Sequence, residues 1–441
     1  MQFNLLRLLS NSGRRYIFDA LSNHIYELDV DDDWDLITPE DLGYESDIRV
    51  NSLKLTGSKA DPLTSAKTLI IELTESCNIR CTYCVFDEAD SSERNHSEKF
   101  MTAESAYHAV DEFVKRTSGE ECYLVFYGGE PLLRFSTMKE IVHYAQVASN
   151  DKFKFSFTTN GISLTSEKFE FLIRNDFKVT VSIDGPDFIH DKRRVTKGGR
   201  GTFSLVQKNL QDLQKYNPNY YSNSVDYNTV ISDFEDVIHI NKFYRDNSLF
   251  GRDKVRFSPE ISVGLNVDRK ISQSVGSDEL RSALVDKRPV YFKSNPNGYE
   301  WDLDPVQDAF IGNILKKINH RDLGSLAIDG KKICIPFANR TYIRVDGSIQ
   351  FCERIQNYKI KKSVDDMVVF SKKINDEFID FKFDSCSKCF AYNFCDMCPA
   401  SFVVNGALSK ELSEIKCLNF RDNFKRAMLI YINSMELREG V

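Results

Sequence analysis

Between residues 68 and 258 the spacing of apolar positions switches back and forth between two periods. Runs rich in β-branched and aromatic residues predict strands at Thr68–Thr74, Glu121–Tyr127, Phe153–Thr159, Lys178–Ile183, Val225–Ile231 and Lys254–Ser258. Between them, Ala103–Arg116, Met138–Ala148, Ser166–Asn175 and Leu205–Tyr216 repeat apolar residues at three- and four-residue intervals, the spacing of a helix face. Such alternation predicts an α/β domain built on a parallel sheet with right-handed crossovers. Where such a sheet curls into a barrel, the chemistry gathers at the carboxyl ends of its strands, which is where the candidate motifs fall.

The flanks read differently. Tyr16–Ala20 and His24–Leu28 are short β-type runs joined by Leu21-Ser22-Asn23, a predicted hairpin. An acidic stretch, Asp29 to Asp35, precedes a helix start at Thr38-Pro39-Glu40-Asp41, and Thr56 to Pro62 has linker chemistry. The expected division is a β-hairpin/α segment at 1–62, the barrel at 63–265, a bridging helical region at 266–330, a cysteine-rich domain at 331–425 and a tail at 426–441.

Charge adds little: 58 basic against 65 acidic residues give no electrostatic case for nucleic acid, and Lys192-Arg193-Arg194 is too short a cluster to supply one. No apolar run approaches the ~20 residues that span a bilayer, and Met1 to Arg7 lacks the apolar core of a signal peptide. No membrane partner and a cytoplasmic location are expected. The 11 cysteines change the picture, because in a reducing compartment they are poor candidates for disulfides. All but Cys122 fall into two spaced groups, which metal ligation explains better than redox pairing. Cys122, inside a predicted buried strand, reads as a small core hydrophobe.

The first group, Cys77-x3-Cys81-x2-Cys84, directly follows the first predicted strand. Three thiolates in so short a loop suit one soft metal centre. Iron–sulfur clusters normally take four cysteines, so three leave one iron open to a reactant. The other reading is a structural zinc loop, which usually has four ligands in paired hooks. Gly128-Gly129-Glu130-Pro131 follows the second strand, with glycines that allow close approach of backbone to a ligand and a carboxylate suited to an ammonium group. Thr158-Thr159-Asn160-Gly161 ends the third strand and Ser182-Ile183-Asp184-Gly185-Pro186 the fourth; each alone is a good turn sequence.

In this order the motifs resemble those of the radical S-adenosylmethionine (SAM) enzymes, here a partial (β/α)6 TIM-like radical SAM barrel with a small N-terminal β-rich domain. The resemblance implies that Cys77, Cys81 and Cys84, with Tyr83 before the last, hold a [4Fe-4S] cluster. Its open iron chelates SAM, which is cleaved reductively to a 5′-deoxyadenosyl radical. It further implies that Gly128, Gly129, Glu130 and Pro131 hold the SAM amino group, and that Asn160, Ser182 and Asp184 lie near the cofactor. In the H-D-x-x-R run from His190, Arg194 matches the arginine that meets the SAM carboxylate, with Arg193 as the fallback, while His190 and Asp191 brace the loop. Asn228 on the fifth strand is a candidate for the adenine or ribose.

The second group, Cys334, Cys352, Cys386, Cys389, Cys395, Cys398 and Cys417, resembles the SPASM extension, which houses two auxiliary four-iron clusters. A single four-cysteine zinc site would leave three cysteines idle. The family pattern gives Cys386, Cys389, Cys395 and Cys417 to the distal cluster, and Cys334, Cys352 and Cys398 to a nearer one left a ligand short. One hook departs from the pattern, Cys395-x2-Cys398 standing where C-x3-C is common. The cofactors expected are thus SAM and three [4Fe-4S] clusters.

By resemblance the chain is a maturase of a ribosomally made precursor peptide, leader plus core, installing an oxidative thioether, C–C or C–O crosslink. An external one-electron reductant such as flavodoxin or ferredoxin is implied. Ile17, Phe18, Ile25 and Tyr26 could form an edge that a leader joins as an added strand, or the hairpin could simply cap the barrel. The alternative is an anaerobic sulfatase-maturating enzyme, which makes formylglycine from cysteine or serine. Against it stand Tyr127 before the glycines, Leu132-Leu133 after the proline, and Glu353 after Cys352. A third reading is a non-catalytic iron–sulfur electron-transfer or scaffold protein. Glu353, Asp304 and Tyr342 are candidates for acid/base or relay roles, with structural roles the plainer reading.

Overall fold

The computed structural model describes most of residues 5–41, 67–259, 292–301, 311–319, 340–353, 389–395 and 403–439, with a few residues between. Cys334, Cys398, Asp304, the linker and the expected boundaries at 62, 265 and 330 lie outside the described residues. Three antiparallel strands come first: β1 (Leu5–Leu9), β2 (Arg15–Asp19) and β3 (His24–Leu28), with β2 in the middle. Asn23 turns the expected hairpin with φ 63°, a conformation asparagine tolerates. β1 was not expected. It corrects the edge reading of residues 17 and 18: Ile17 and Phe18 lie on the central strand, fully buried, and only Ile25 and Tyr26 lie on an outer one.

The barrel follows as β4 (Thr68–Thr74), β5 (Ile79–Cys81), α1 (Ala103–Val114), β6 (Cys122–Gly128), α2 (Phe135–Ser149), β7 (Phe153–Thr159), α3 (Ser166–Arg174) and β8 (Lys178–Ser182). It continues through α4 (Asp187–Arg193), β9 (Arg194–Thr196), α5 (Phe203–Tyr216), α6 (Pro218–Ser224), β10 (Val225–Ile231), α7 (Asp236–Asp246) and β11 (Val255–Pro259). Beyond it come the hairpin β12–β13 (Phe292–Asn295, Gly298–Trp301), α8 (Asn313–Asn319), β14 (Arg340–Ile343), β15 (Ile349–Gln350), β16 (Lys359–Ile360), the small pair β17–β18 (Val403–Val404, Ala407–Leu408) and α9 (Lys410–Glu439). α9 runs unbroken through residues 425 and 426, where a domain was expected to give way to a tail.

The main sheet has the order β11-β10-β8-β7-β6-β4-β14-β15-β16. The six predicted strands are parallel neighbours in chain order, and β14 adds a seventh parallel strand on the far side of β4. Alternation assigns the two faces. Leu69, Ile71, Leu124, Phe126, Phe157 and Val181 face the helices and form the main core, where each large side chain contributes about 1.5–3 kcal/mol. Cys122 sits in this core, as expected, 2 % exposed. Glu72, Thr158, Ser182 and Asn228 belong to the alternate positions, so the concave face is polar toward the carboxyl end. A second core joins Leu6, Leu8 and Phe18 of the N-terminal sheet to Leu315 of α8, Phe394, and Phe424 and Met428 of α9. Among the described residues no helix is long and apolar enough to cross a membrane.

Candidate functional site

The cysteine loop leaves β4 and is held from two sides. Its short strand β5 pairs antiparallel with β9, placing Cys81 opposite Arg194, and the Thr82 amide donates to the Arg193 carbonyl at 3.1 Å. On the other side the Gly129 amide donates to the Thr74 carbonyl at 2.7 Å and the Glu130 amide to the Ser76 carbonyl at 2.9 Å. This contact explains both glycines. A Cβ on Gly128, whose φ is +125°, would lie 2.2 Å from the Thr74 carbonyl oxygen; one on Gly129 would lie 2.2 Å from that of Ser76. Their close approach is to the cysteine loop's own backbone.

Glu130 is fully buried. Its Oε1 accepts from Thr159 Oγ1 at 2.8 Å and the Leu132 amide at 3.1 Å, and its Oε2 from the Asn160 amide at 2.8 Å. Burial nonetheless pushes its pKa up to about 7, because the donors only partly replace the water lost. An arriving cation would favour the charged form. Asn160 does three things: its Oδ1 accepts from the Ile162 amide, closing a turn, while Nδ2 donates to Asn78 Oδ1 at 2.7 Å and to Cys77 Sγ at 3.7 Å.

Across the loop, Asp184 is wholly buried and joins the other pieces. Its Oδ2 accepts from Arg194 Nε at 2.9 Å and from the Tyr83 hydroxyl, and its Oδ1 from the Val230 amide at 3.1 Å. Arg194 also donates from Nη1 to Cys81 Sγ at 3.8 Å, and its guanidinium lies 5.3 Å from the Tyr83 ring centre. Burial raises the Tyr83 phenol well above its usual range, so it acts as a neutral donor. Arg193 points elsewhere, paired with Asp236 at 2.5 Å, so Arg194 is the arginine beside the cysteines. His190 and Asp191 hold the loop: His190 Nε2 lies 3.0 Å from Thr202 Oγ1, and Asp191 Oδ1 accepts from the Thr202 and Phe203 amides at 2.7 and 2.8 Å, at the start of α5. Burial lowers the His190 pKa to about 4, keeping it neutral.

Ser182 and Asn228 are direct cross-strand partners, on the concave face one strand apart. Sequence reasoning missed Glu72, Glu75 and Arg344. Arg344, just past β14, reaches Glu75 at 3.2 Å and Glu72 at 3.5 Å, all three deeply buried. Ser97 donates to the other Glu75 oxygen at 2.6 Å. Glu75 lies two residues before Cys77, so this network ties the seventh strand to the cysteine loop. Only the improbability of burying two acidic side chains in a core strand and its exit could have signalled it. Tyr342 is fully buried, edge-on to Tyr127, and Glu353 lies between Cys352 at 3.4 Å and Arg340 at 3.8 Å.

Of the second cysteine group, Cys386, Cys389, Cys395 and Cys417 are described, each part-buried, as is Cys352. The Cys389 amide donates to the Cys386 carbonyl at 3.1 Å, and Cys386 and Cys395 both lie close enough to act electrostatically on Tyr392. Cys417 rides on α9.

The radical SAM superfamily matches residues 71–239, a span that begins in β4 and ends in α7 and so contains the cysteine loop, Glu130, Asn160, Asp184 and Arg194. The chain carries a radical SAM domain. A cysteine-type anaerobic sulfatase-maturating enzyme of Clostridium novyi (strain NT) is 26% identical over 360 residues, covering 76% of this chain and 87% of that protein. A radical SAM cyclopropyl synthase of Paramaledivibacter caminithermalis is 23% identical over 235 residues, 50% of this chain and 46% of that one. The solved structure of native anSMEcpe with bound AdoMet superposes with TM-score 0.59 at 21% identity, covering 83% of this chain and 99% of that one, which shows a shared fold.

A radical SAM enzyme binds SAM and an iron–sulfur cluster, and the residues of this domain fit that group. Among the described residues no three His, Cys, Asp or Glu side chains converge on a single ion. Burial pushes the metal-free Cys77 thiol up to about 11, so bound metal is what would keep it a thiolate at neutral pH. N–H donors already aim at Cys77 and Cys81.

Proposed function

We propose that this radical SAM enzyme oxidises a residue of a peptide or protein substrate. The observation that carries the reading is the length of the match to the sulfatase-maturating enzyme: 76% of this chain and 87% of that protein, well beyond what residues 71–239 hold. Cys77, Cys81 and Cys84 are assigned to the SAM-binding cluster and Glu130 to the SAM ammonium, with Ser182, Asn228 and Arg194 around the rest of the cofactor. Cys386, Cys389, Cys395 and Cys417 are assigned to a distal auxiliary cluster, and Cys334, Cys352 and Cys398 to a nearer one. Together the bound groups supply a 5′-deoxyadenosyl radical, made by one-electron reduction of SAM, and an acceptor for the electron left after hydrogen abstraction. The protein's own part is to fix the carbon to be attacked against the concave face and keep water from it.

Within this reading the first assignment is a precursor-peptide maturase that forms an oxidative crosslink. Tyr127, Leu132 and Glu353 support it, each differing from what sulfatase maturases usually carry there. Outer strand β3, with Ile25 and Tyr26, is where a leader would add as a strand. The second assignment, a sulfatase maturase, is favoured by the same long match. Reconstituted enzyme, SAM and a flavodoxin or ferredoxin reductant would be incubated with a short peptide encoded beside the gene, and separately with a cysteine-containing sulfatase peptide. Loss of two hydrogens from the first supports crosslinking; replacement of the cysteine thiol by an aldehyde in the second supports formylglycine formation. SAM cleavage that leaves both peptides, and proteins of a cell extract, unmodified overturns the peptide-or-protein reading.

A further inference from the structure

Two side chains from different strand ends point N–H groups at two different cysteines of the loop. Asn160 Nδ2, past β7, stands 3.7 Å from Cys77 Sγ, and Arg194 Nη1, on β9, stands 3.8 Å from Cys81 Sγ. Neither contact is accidental to a loose side chain. Asn160 is 8 % exposed and fixed through Asn78 and Ile162; Arg194 is 6 % exposed and fixed through Asp184. Asp184 is itself immobilised by the Val230 amide, and β5–β9 pairing holds Arg194 in register with Cys81. A preorganised donor facing a thiolate does not have to be gathered when charge changes there.

We propose that Asn160 and Arg194 donate N–H···S hydrogen bonds to the Cys77 and Cys81 thiolates and set the potential at which the SAM-binding cluster accepts its electron. The inference rests on the assignment of these cysteines to that cluster. The reason is electrostatic: the incoming electron adds negative charge spread over the cluster and its thiolates, and donors to sulfur stabilise that added charge, raising the reduction potential. The two act differently. Asn160 is neutral and works through its dipole, whereas Arg194 brings a full charge, offset by Asp184, so its effect resides in the placement of Nη1. Asn160 also gives its backbone N–H to Glu130, so one residue touches both the cluster ligand and the proposed SAM-ammonium site.

The test uses full-length reconstituted enzyme without SAM, titrated anaerobically against redox mediators and followed by the EPR signal of the reduced cluster. Because auxiliary clusters would overlap, the SAM-binding signal is taken as the part absent from Cys81→Ala. Asn160→Ala removes one donor; Arg194→Lys keeps the charge and removes the fork. Both variants are expected to load the same iron as wild type and to shift the midpoint to more negative values. The exchangeable-proton couplings that ENDOR detects at the cluster should also diminish. Unchanged midpoints and couplings at equal iron content overturn the proposal, as does a shift in Asn160→Ala alone for the part assigned to Arg194. Should Asn160→Ala load poorly because its turn is lost, Asn160→Ser is judged by the same two readouts. A wild-type protein whose EPR signals are all retained in Cys81→Ala overturns the cluster assignment itself, a different and recognisable result.

Discussion

Placing a single methyl group at Gly129 is expected to separate the two segments on which the site depends. The new Cβ would stand 2.2 Å from the Ser76 carbonyl oxygen, 2.6 Å from its carbon and 3.0 Å from the Glu75 oxygen. All three are backbone atoms, so no side chain can swing aside. Relief requires the loops to part by about an ångström, enough to lose the Gly129–Thr74 and Glu130–Ser76 hydrogen bonds. Two bonds at about 1 kcal/mol each, with about 1–3 kcal/mol for overpacking, give a cost of about 3–5 kcal/mol. That is a large part of an ordinary domain's stability. Gly198→Ala is the control, since its Cβ would meet nothing closer than Thr196 Oγ1 at 3.9 Å, and its change should stay within about 0.5 kcal/mol. Urea unfolding of both variants, with SAM affinity measured by equilibrium dialysis, is the assay. A Gly129→Ala protein as stable as Gly198→Ala, binding SAM normally, would refute the close-packed origin of the glycine pair.

Two further outcomes follow from the buried charges. Glu130 has its pKa raised from 4.5 to about 7 in the fold, so the folded state binds the extra proton; its contribution is fully present below pH 4.5 and is lost as pH rises to 7. Wild type should therefore lose about 2–3 kcal/mol relative to Glu130→Gln between pH 5 and 8, measured by urea unfolding of the metal-free protein, and parallel profiles would contradict it. Arg344→Met should cost about 3–5 kcal/mol by leaving Glu72 and Glu75 buried without their guanidinium, and an unchanged denaturation midpoint would show that the network is not holding β14 to β4.

Much of the barrel was legible because its strands are short, β-branched and separated by amphipathic helices. Phe153–Thr159 and Val225–Ile231 have the predicted bounds, and Cys122–Gly128 is displaced by one residue from its expectation. What failed depends on distant partners. β1, Leu5–Leu9, has no β-branched residue, and its strand character comes from pairing with β2. Without β1 as a partner, Ile17 and Phe18 read as an edge. β14 is four residues long and joins β4 from far along the chain. In the site, Cys77, Glu130, Asn160 and Arg194 were legible as motif residues, and the structure brings them together around one loop. Their mutual bonds were not, because no local pattern reports that Asn160 meets Cys77 or that Arg344 meets Glu75. The role of Asp184, as the anion that places both Tyr83 and Arg194, likewise required the fold.

The loop of Cys77, Cys81 and Cys84, with Glu130 behind it, is expected to form a SAM-cleaving centre. Anaerobic incubation of reconstituted, dithionite-reduced protein with SAM, followed by chromatography for 5′-deoxyadenosine, tests it directly. Wild type is expected to form 5′-deoxyadenosine, and Cys81→Ala is expected to form none. No product from fully iron-loaded wild type, or equal product from Cys81→Ala, would contradict the claim.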